Sequence, residues 1–161
     1  MEFYHIADAY IAYLRQFDSK IYYNKHETRP YVGVLIAIDD IEYYAPFTSP
    51  KSKHLHMKND KDFRKIAGGQ YGAINFNNMI PVPRSALILM DIGGEPDVQY
   101  RRLLQNQYNA IKADYDNILR TAASLRCLIL KDDGELSERD KAIKARCCNL
   151  RLIESVFRNY K

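Results

Sequence analysis

At 161 residues the chain is long enough for one domain with its own core. Hydrophobic residues make up 47% and charged residues 27%, a globular composition that excludes disorder along the whole length. The formal charge of +4 permits a polyanionic partner without demanding one, and no apolar run approaches a membrane span.

The first predicted element is a short strand, Phe3 to Ile6. The N-terminus has no basic n-region and no apolar h-region, so no signal peptide is expected. Asp8 fits an N-cap, and Tyr10, Tyr13, Leu14 and Phe17 then recur at helical spacing. Ser19 to Pro30 is polar and reads as a loop. Tyr31 to Ile38 is nearly all apolar, a buried strand; Asp39-Asp40 makes a turn, and Ile41 to Phe47 returns as the second arm of a hairpin. Pro46 interrupts the apolar run of that arm.

Phe63 to Ala67 and Tyr71 to Phe76 read as strands around a Gly68-Gly69 turn. Pro81 and Pro83 argue against a regular central strand there, and Ala86 to Met90 is the last strand. From Pro96 the period changes. Tyr100, Leu104, Tyr108, Ile111, Tyr115, Ile118 and Leu125 predict one long helix or two consecutive ones, up to about Leu130. Ser137, with Asp140 as capping-box partner, opens another helix with a stripe of Ile143, Cys147, Leu150, Ile153 and Phe157. The layout is α+β: one helix, a block of antiparallel strands, then helices. Residues 1–161 read as a single domain.

Cys127, Cys147 and Cys148 have no metal-ligand spacing and read as buried free thiols, which fits a reducing cytoplasm. Thirteen tyrosines and no tryptophan suit packed strands, and tyrosine also stacks on bases.

The densest chemistry follows the hairpin: Thr48, Ser49, Pro50, Lys51, Ser52, Lys53, His54, His56 and Lys58. A proline-stiffened turn can present a hydroxyl and an ammonium to one phosphate. Metal-free RNA cleavage needs the 2′-OH deprotonated, a pentacoordinate phosphorane stabilised and the leaving oxygen protonated. By spacing alone, a plain exposed loop remains the commoner explanation of Thr-Ser-Pro-Lys. Arg29, just before the buried strand, can reach the same phosphate or stay a solvated loop residue. His54 and His56 would share one face of an extended segment; two ligands without a carboxylate or thiol make no metal site, and no cofactor is expected. His54 is either an acid or base near Ser49 or a surface histidine. The lysines from Lys51 to Lys65 fit a phosphate track or a solvated face. Asn75, Asn77 and Asn78 supply amides for base edges or for Asx-turns.

Five blocks in order then carry a resemblance. They are Met1-Glu-Phe-Tyr-His-Ile with Tyr10-Ile11 and Tyr13-Leu14; Tyr31-Val32-Gly33-Val34; Tyr44-Ala45-Pro46-Phe47-Thr48-Ser49-Pro50-Lys51; Ile74-Asn75-Phe76 with Met79-Ile80-Pro81-Val82; and Tyr100-Arg101 with Leu104. The chain resembles the ToxN/AbiQ endoribonuclease toxins of bacterial type III toxin–antitoxin systems, especially the CptN-type branch. The resemblance implies a twisted, partly open antiparallel β-barrel of Kid/MazF type wrapped by helices. It implies metal-independent cleavage of RNA, including mRNA, to 2′,3′-cyclic phosphate and 5′-OH ends, with a role in phage defence. The implied inhibitor is a repeat RNA folded into pseudoknots, which the toxin processes and holds in a closed ring of equal numbers of toxin and RNA, three of each.

By the same resemblance Thr48, Ser49, Lys51 and Arg29 are the catalytic set, and Tyr10, Lys53, His54, Lys58, Asn75 and Asn77 bind RNA. The competing readings are a non-catalytic RNA-binding scaffold, which needs no positioned Ser49, and a protein-interaction domain whose helices are the contact surface.

Overall fold

The long strand β4 (Ile41–Thr48) organises the structure, because nearly every one of its residues is apolar and buried. A strand buried on both faces must be paired along its length and covered, and β4 is. In this computed structural model, which describes all residues except Val34, Ile36 and Asp39, four strands pair with it. The other strands of the sheet are β1 (Glu2–Ile6), β2 (Tyr31–Gly33), β3 (Ala37–Ile38), β5 (Phe63–Lys65), β6 (Ala73–Asn75), β7 (Ile80–Pro81) and β8 (Leu87–Leu89). The main path runs β5-β6-β4-β2-β1-β8, with β3 and β7 also on β4, and every pairing is antiparallel. The expected antiparallel α+β arrangement is present, as an open sheet.

The expected hairpin is seen, but its first arm is two short strands, β2 and β3, and Ala37 is exposed, so it is not one buried strand; Val34, Ile36 and the Asp39 part of the turn lie outside the described residues. Pro46 does not end the strand. It stands opposite Tyr31, and the next residue restores the bonding when Phe47 N donates to Pro30 O at 3.1 Å. This places Arg29 beside the end of β4.

The helices are α1 (Asp8–Arg15), α2 (Ser52–His56), α3 (Val98–Ala113), α4 (Tyr115–Leu130), α5 (Glu138–Arg146) and α6 (Leu150–Val156). Ala7, not Asp8, is the cap of α1. Asp97 caps α3 by accepting from Gln99 N and Tyr100 N. The long periodic stretch is two helices, broken at Asp114, whose carboxylate takes a bidentate bond from Arg64 of β5. Ser137 caps α5 as expected, but the Asp140 carboxylate reaches Lys61 Nζ at 2.6 Å.

The single helix expected over the final apolar stripe is two. The break at Cys147-Cys148-Asn149 is held from outside: Cys148 N donates to Asn77 O, and Asn149 N donates to Asp18 Oδ2. Asn149 then caps α6 through Leu152 N. The whole stripe is nevertheless buried. Cys147 and Cys148 are buried free thiols, whereas Cys127 is exposed on α4.

The core lies between the sheet and α1, α3, α4 and α6. Phe3 and Phe47 meet at 4.5 Å between ring centres, with Tyr108 of α3 edge-on to Phe3; such aromatic pairs add about 0.5–1.5 kcal/mol each beyond their area. No helix among the described residues is long and apolar enough to cross a membrane.

Candidate active site

Where β4 runs out, its last residues form the wall of a cavity of about 760 Å³. Separate parts of the chain build that wall. The end of β4 and the following turn supply Thr48, Ser49 and Lys51; α2 supplies Lys53 and His54; the segment after it supplies Lys58. The loop before β2 supplies Tyr22, Lys25 and Arg29, and the end of β6 with the turn after it supplies Asn75 and Asn77. Nine of the ten residues that the resemblance assigned to catalysis or RNA binding therefore share one cavity.

The tenth, Tyr10, does not. Its ring is fully buried under α1, and its hydroxyl donates to Pro81 O at 2.5 Å. It packs edge-on against Tyr160. A base cannot reach it, so Tyr10 is a core residue.

The hydroxyl–lysine turn is held from several sides. Ser49 is exposed, as is Lys51. The Lys51 backbone is clamped twice by His54: Lys51 N donates to His54 Nδ1 at 3.2 Å, and His54 N donates to Lys51 O at 2.9 Å. Gln107, buried on α3, donates through Nε2 to Thr48 O at 3.2 Å and to Tyr71 O at 2.8 Å. Gly72 has φ +98°, and a Cβ there would lie 1.8 Å from Thr48 O. Gly69, at φ +97°, similarly lets the chain approach the backbone of His54. These two glycines let the turn before β6 press against the end of β4 and α2. Neither Gly72 nor Gln107 was singled out in the sequence, although an isolated glycine in a strand pattern signals close backbone approach.

His54 corrects two expectations. Residues 52–56 are helical, so His54 and His56 point apart instead of sharing a face. His54 is also buried at 3% exposure, against Phe63, and is not a surface histidine. Burial, then the charges of Lys53 and Lys51, lower its pKa from the ordinary 6.5. The ring is neutral at pH 7 and adds no positive charge to the cavity. Its Nδ1 accepts a hydrogen bond, so the ring proton sits on Nε2.

This burial has a consequence for stability. Protonation is easier in the unfolded chain than in the folded one, so the unfolded state binds the extra proton first as pH falls. The stability contributed by neutral His54 is present above pH 6.5 and is lost as pH falls through the lowered value. Denaturant unfolding between pH 8 and pH 5 should show this loss, and His54→Gln should flatten it. An unchanged profile in that variant would assign the acid sensitivity elsewhere.

The electrostatics of the wall are one-sided. Its carboxylates are occupied: Asp62 is buried in a bidentate pair with Arg146 at 2.6 and 2.7 Å, and Asp60 takes Arg139 at 3.0 Å. The Lys61 backbone N–H bond, then these arginines, hold the Asp60 carboxyl below its usual range against the opposing effect of burial. Lys25, Arg29, Lys51, Lys53 and Lys58 have no carboxylate partner among the described residues. Arg29 is aimed by its neighbours. Its Nε donates to Tyr23 O at 3.1 Å and its guanidinium lies 4.9 Å from the centre of the Tyr22 ring.

The lysine run does not form one track. Lys51, Lys53 and Lys58 face the cavity, while Lys61 and Arg64 are tied to Asp140 and Asp114 outside it. Asn75 and Asn77 line the wall, and the Asn77 amide reaches Tyr22 Oη at 3.3 Å. Asn78 is spent internally, accepting from Tyr22 N and donating to Lys20 O. Thr48 Oγ1 is buried with no hydrogen-bond partner among the described residues, which costs about 1–3 kcal/mol for a group of this kind. Among the described residues no group of three or more His, Cys, Asp or Glu is placed to hold a metal ion.

Such a wall, with an exposed hydroxyl among unpaired cations, suits a phosphodiester, and the comparisons with known proteins point the same way. The family model described as toxin ToxN, type III toxin–antitoxin system, matches residues 2–158. The endoribonuclease ToxN of Pectobacterium atrosepticum is 32% identical over 170 residues, spanning 99% of this chain and 94% of that protein. A solved structure concerned with selective toxin inhibition by a non-coding RNA pseudoknot matches with a TM-score of 0.87 at 32% identity, over 99% of this chain and 96% of that one. Another, concerned with a processed non-coding RNA that regulates a bacterial antiviral system, matches with a TM-score of 0.81 at 30% identity, over 99% of each chain. With similarity of this extent in both sequence and fold, the chain belongs to the ToxN toxin family of type III toxin–antitoxin systems.

Proposed function

We propose that residues 1–161 form a single endoribonuclease toxin domain that cleaves RNA, including mRNA, without a metal ion. The observation that carries this reading is the convergence of Ser49, Lys51, Arg29 and Lys53 on one cavity whose carboxylates are already held by arginines. In the proposed step the 2′-oxygen attacks the adjacent phosphorus and the P–O5′ bond breaks. The 2′ proton is lost, and the leaving 5′-oxygen gains one. A 2′,3′-cyclic phosphate and a 5′-OH result.

Arg29 and Lys51 would stabilise the phosphorane charge, with Ser49 as a hydroxyl donor. Thr48 Oγ1 is a further unspent donor beside it. Lys53 and Lys58 would hold flanking phosphates, and Asn75 and Asn77 would meet bases. The buried, neutral His54 would act by fixing Lys51.

A structured RNA would inhibit by lying in the same cavity. By analogy with the pseudoknot and antiviral relatives, the antitoxin is an RNA pseudoknot and the system defends against phage. Toxin and RNA would close a ring of equal numbers, three of each, held mainly through RNA. Light scattering before and after ribonuclease treatment tests that assembly, which fails if the mass is unchanged by complete RNA removal.

The activity is tested by incubating purified protein with RNA in chelator and identifying the new ends. Cyclic phosphate and 5′-OH ends are expected. Cleavage abolished by chelator, or 5′-phosphate products, would overturn the chemistry; absence of cleavage with retained RNA binding would indicate a scaffold.

The two exposed lysines separate an aimed charge from a diffuse field. Lys51→Ala is expected to lower turnover by about a hundredfold, the usual scale for one aligned donor. Lys53→Ala should mainly weaken binding and reduce its salt dependence. Equal, small effects of both on turnover would argue for diffuse electrostatics.

A further inference from the structure

The loop before β2 carries two aromatic rings in different settings. Tyr22 lines the cavity beneath Arg29. Tyr23 lines an adjoining hollow and is 72% exposed, the most exposed large hydrophobic side chain among the described residues. Its ring is not loose, because the Arg15 guanidinium lies 3.6 Å from its centre. Arg15 is itself tethered, donating to Ser19 O at 3.1 Å and to Ile21 O. A cation held against an aromatic ring reduces the freedom the ring would lose on binding a ligand.

The backbone ties this ring to the cavity. Tyr23 O accepts the Arg29 Nε bond, so the residue that presents the ring also aims the guanidinium. Lys25 lines both the cavity and the adjoining hollow. Lys25, His26 and Glu27 have φ of 52°, 55° and 60°, an uncommon conformation for three successive residues other than glycine. A reciprocal pair holds the bend: Asp8 N donates to Glu27 Oε1 at 2.9 Å, and Glu27 N donates to Asp8 Oδ1 at 3.2 Å. Strain maintained by such bonds is characteristic of ligand-gripping segments.

We propose that the Tyr23 ring, backed by Arg15, is a stacking platform for one unpaired RNA base just outside the cleavage cavity. The phosphate joining that base to the nucleotide in the cavity passes Lys25 and Arg29. A flat, immobilised ring beside a row of unpaired cations matches the alternation of base and phosphate along a single strand. The inference rests on the reading of the cavity as an RNA site.

The test uses the full chain carrying Ser49→Ala, so that RNA is bound without being cut. Affinity for a single-stranded RNA is compared for Tyr23, Tyr23→Phe and Tyr23→Ala, using oligonucleotides with one abasic position moved along the strand. Loss of the ring should weaken binding about tenfold, as for other base–aromatic stacks, and Phe should restore it. At one position only, the abasic substitution should weaken binding to the Tyr23 protein and have little effect on the Ala variant. The natural chain lacks tryptophan, so Tyr23→Trp provides a single reporter whose emission should be quenched by RNA. Equal affinities of Tyr and Ala, or equal losses for Phe and Ala, would overturn the proposal.

Cleavage is assayed separately with Ser49 intact. If RNA is cut and no abasic coupling is found, the base platform fails and the nuclease reading stands. If coupling is found without cleavage, the platform stands and the nuclease reading fails.

Discussion

Ser49→Ala is expected to lower RNA cleavage by about a hundred- to a thousandfold, the cost of removing one aligned donor from a developing charge. The substitution should leave the fold intact. Ser49 is exposed beyond the end of β4, and exposed substitutions away from special contacts usually change stability by within about 0.5 kcal/mol. Arg29, Lys51 and Lys53 remain, so bound RNA should be retained and left uncut. Cleavage rate, thermal midpoint and RNA affinity measured on one preparation check all three points. Wild-type cleavage by the variant would remove Ser49 from the mechanism.

Gly72→Ala should be nearly as damaging, although Gly72 touches no phosphate in the proposed chemistry. Its φ of +98° is hostile to any Cβ, and the added atom would lie 1.8 Å from Thr48 O, well inside contact distance. The backbone must move, and the nearest part to move is the Thr48–Ser49 step. A displacement of about 1 Å at a reacting group costs on the order of a hundredfold in rate. The strained backbone itself costs about 1–3 kcal/mol of stability. Denaturant unfolding and cleavage should therefore both fall. Gln107→Leu offers a milder comparison, because it removes the bonds to Thr48 O and Tyr71 O without inserting an atom. A Gly72→Ala protein with unchanged stability and rate would show that the close approach is unimportant.

Much of the cavity could be read before the structure because its chemistry is local in sequence. Ser49, Pro50 and Lys51 are adjacent, so turn chemistry lets them meet one phosphate, although it was the resemblance that outweighed a plain exposed loop. Hairpin geometry allowed Arg29 to reach them, since Phe47 N and Pro30 O bring the start of β2 beside the end of β4, but its place in the catalytic set is what the resemblance implied. What was not legible depends on contacts between distant segments. Gln107 shares the apolar face of α3 with Leu104 and Ile111, and nothing in the spacing says that one polar residue there reaches Thr48 O. The role of Tyr22 depends on Asn78 capturing its backbone N–H. His54 was misplaced because a five-residue helix is too short to leave a periodic signal. Tyr10 is a different kind of error. It lies one turn before Leu14 on the buried face of α1, so the helical pattern already pointed inward.

The pairing of Asp62 with Arg146 bears on when the toxin becomes dangerous. Ser49 and Lys51 leave the ribosome early, but the arginine that neutralises the cavity's buried carboxylate is encoded near the end, as is the Cys148–Asn77 link. In the proposed function, a chain lacking Arg146 would leave the Asp62 charge uncompensated in the cavity proposed to take phosphate. Under the proposed function, activity would therefore wait until the last part of the chain is made. The full chain carrying Arg146→Gln should be much less harmful than the natural chain when expressed without antitoxin, and equal growth arrest by the two would refute this.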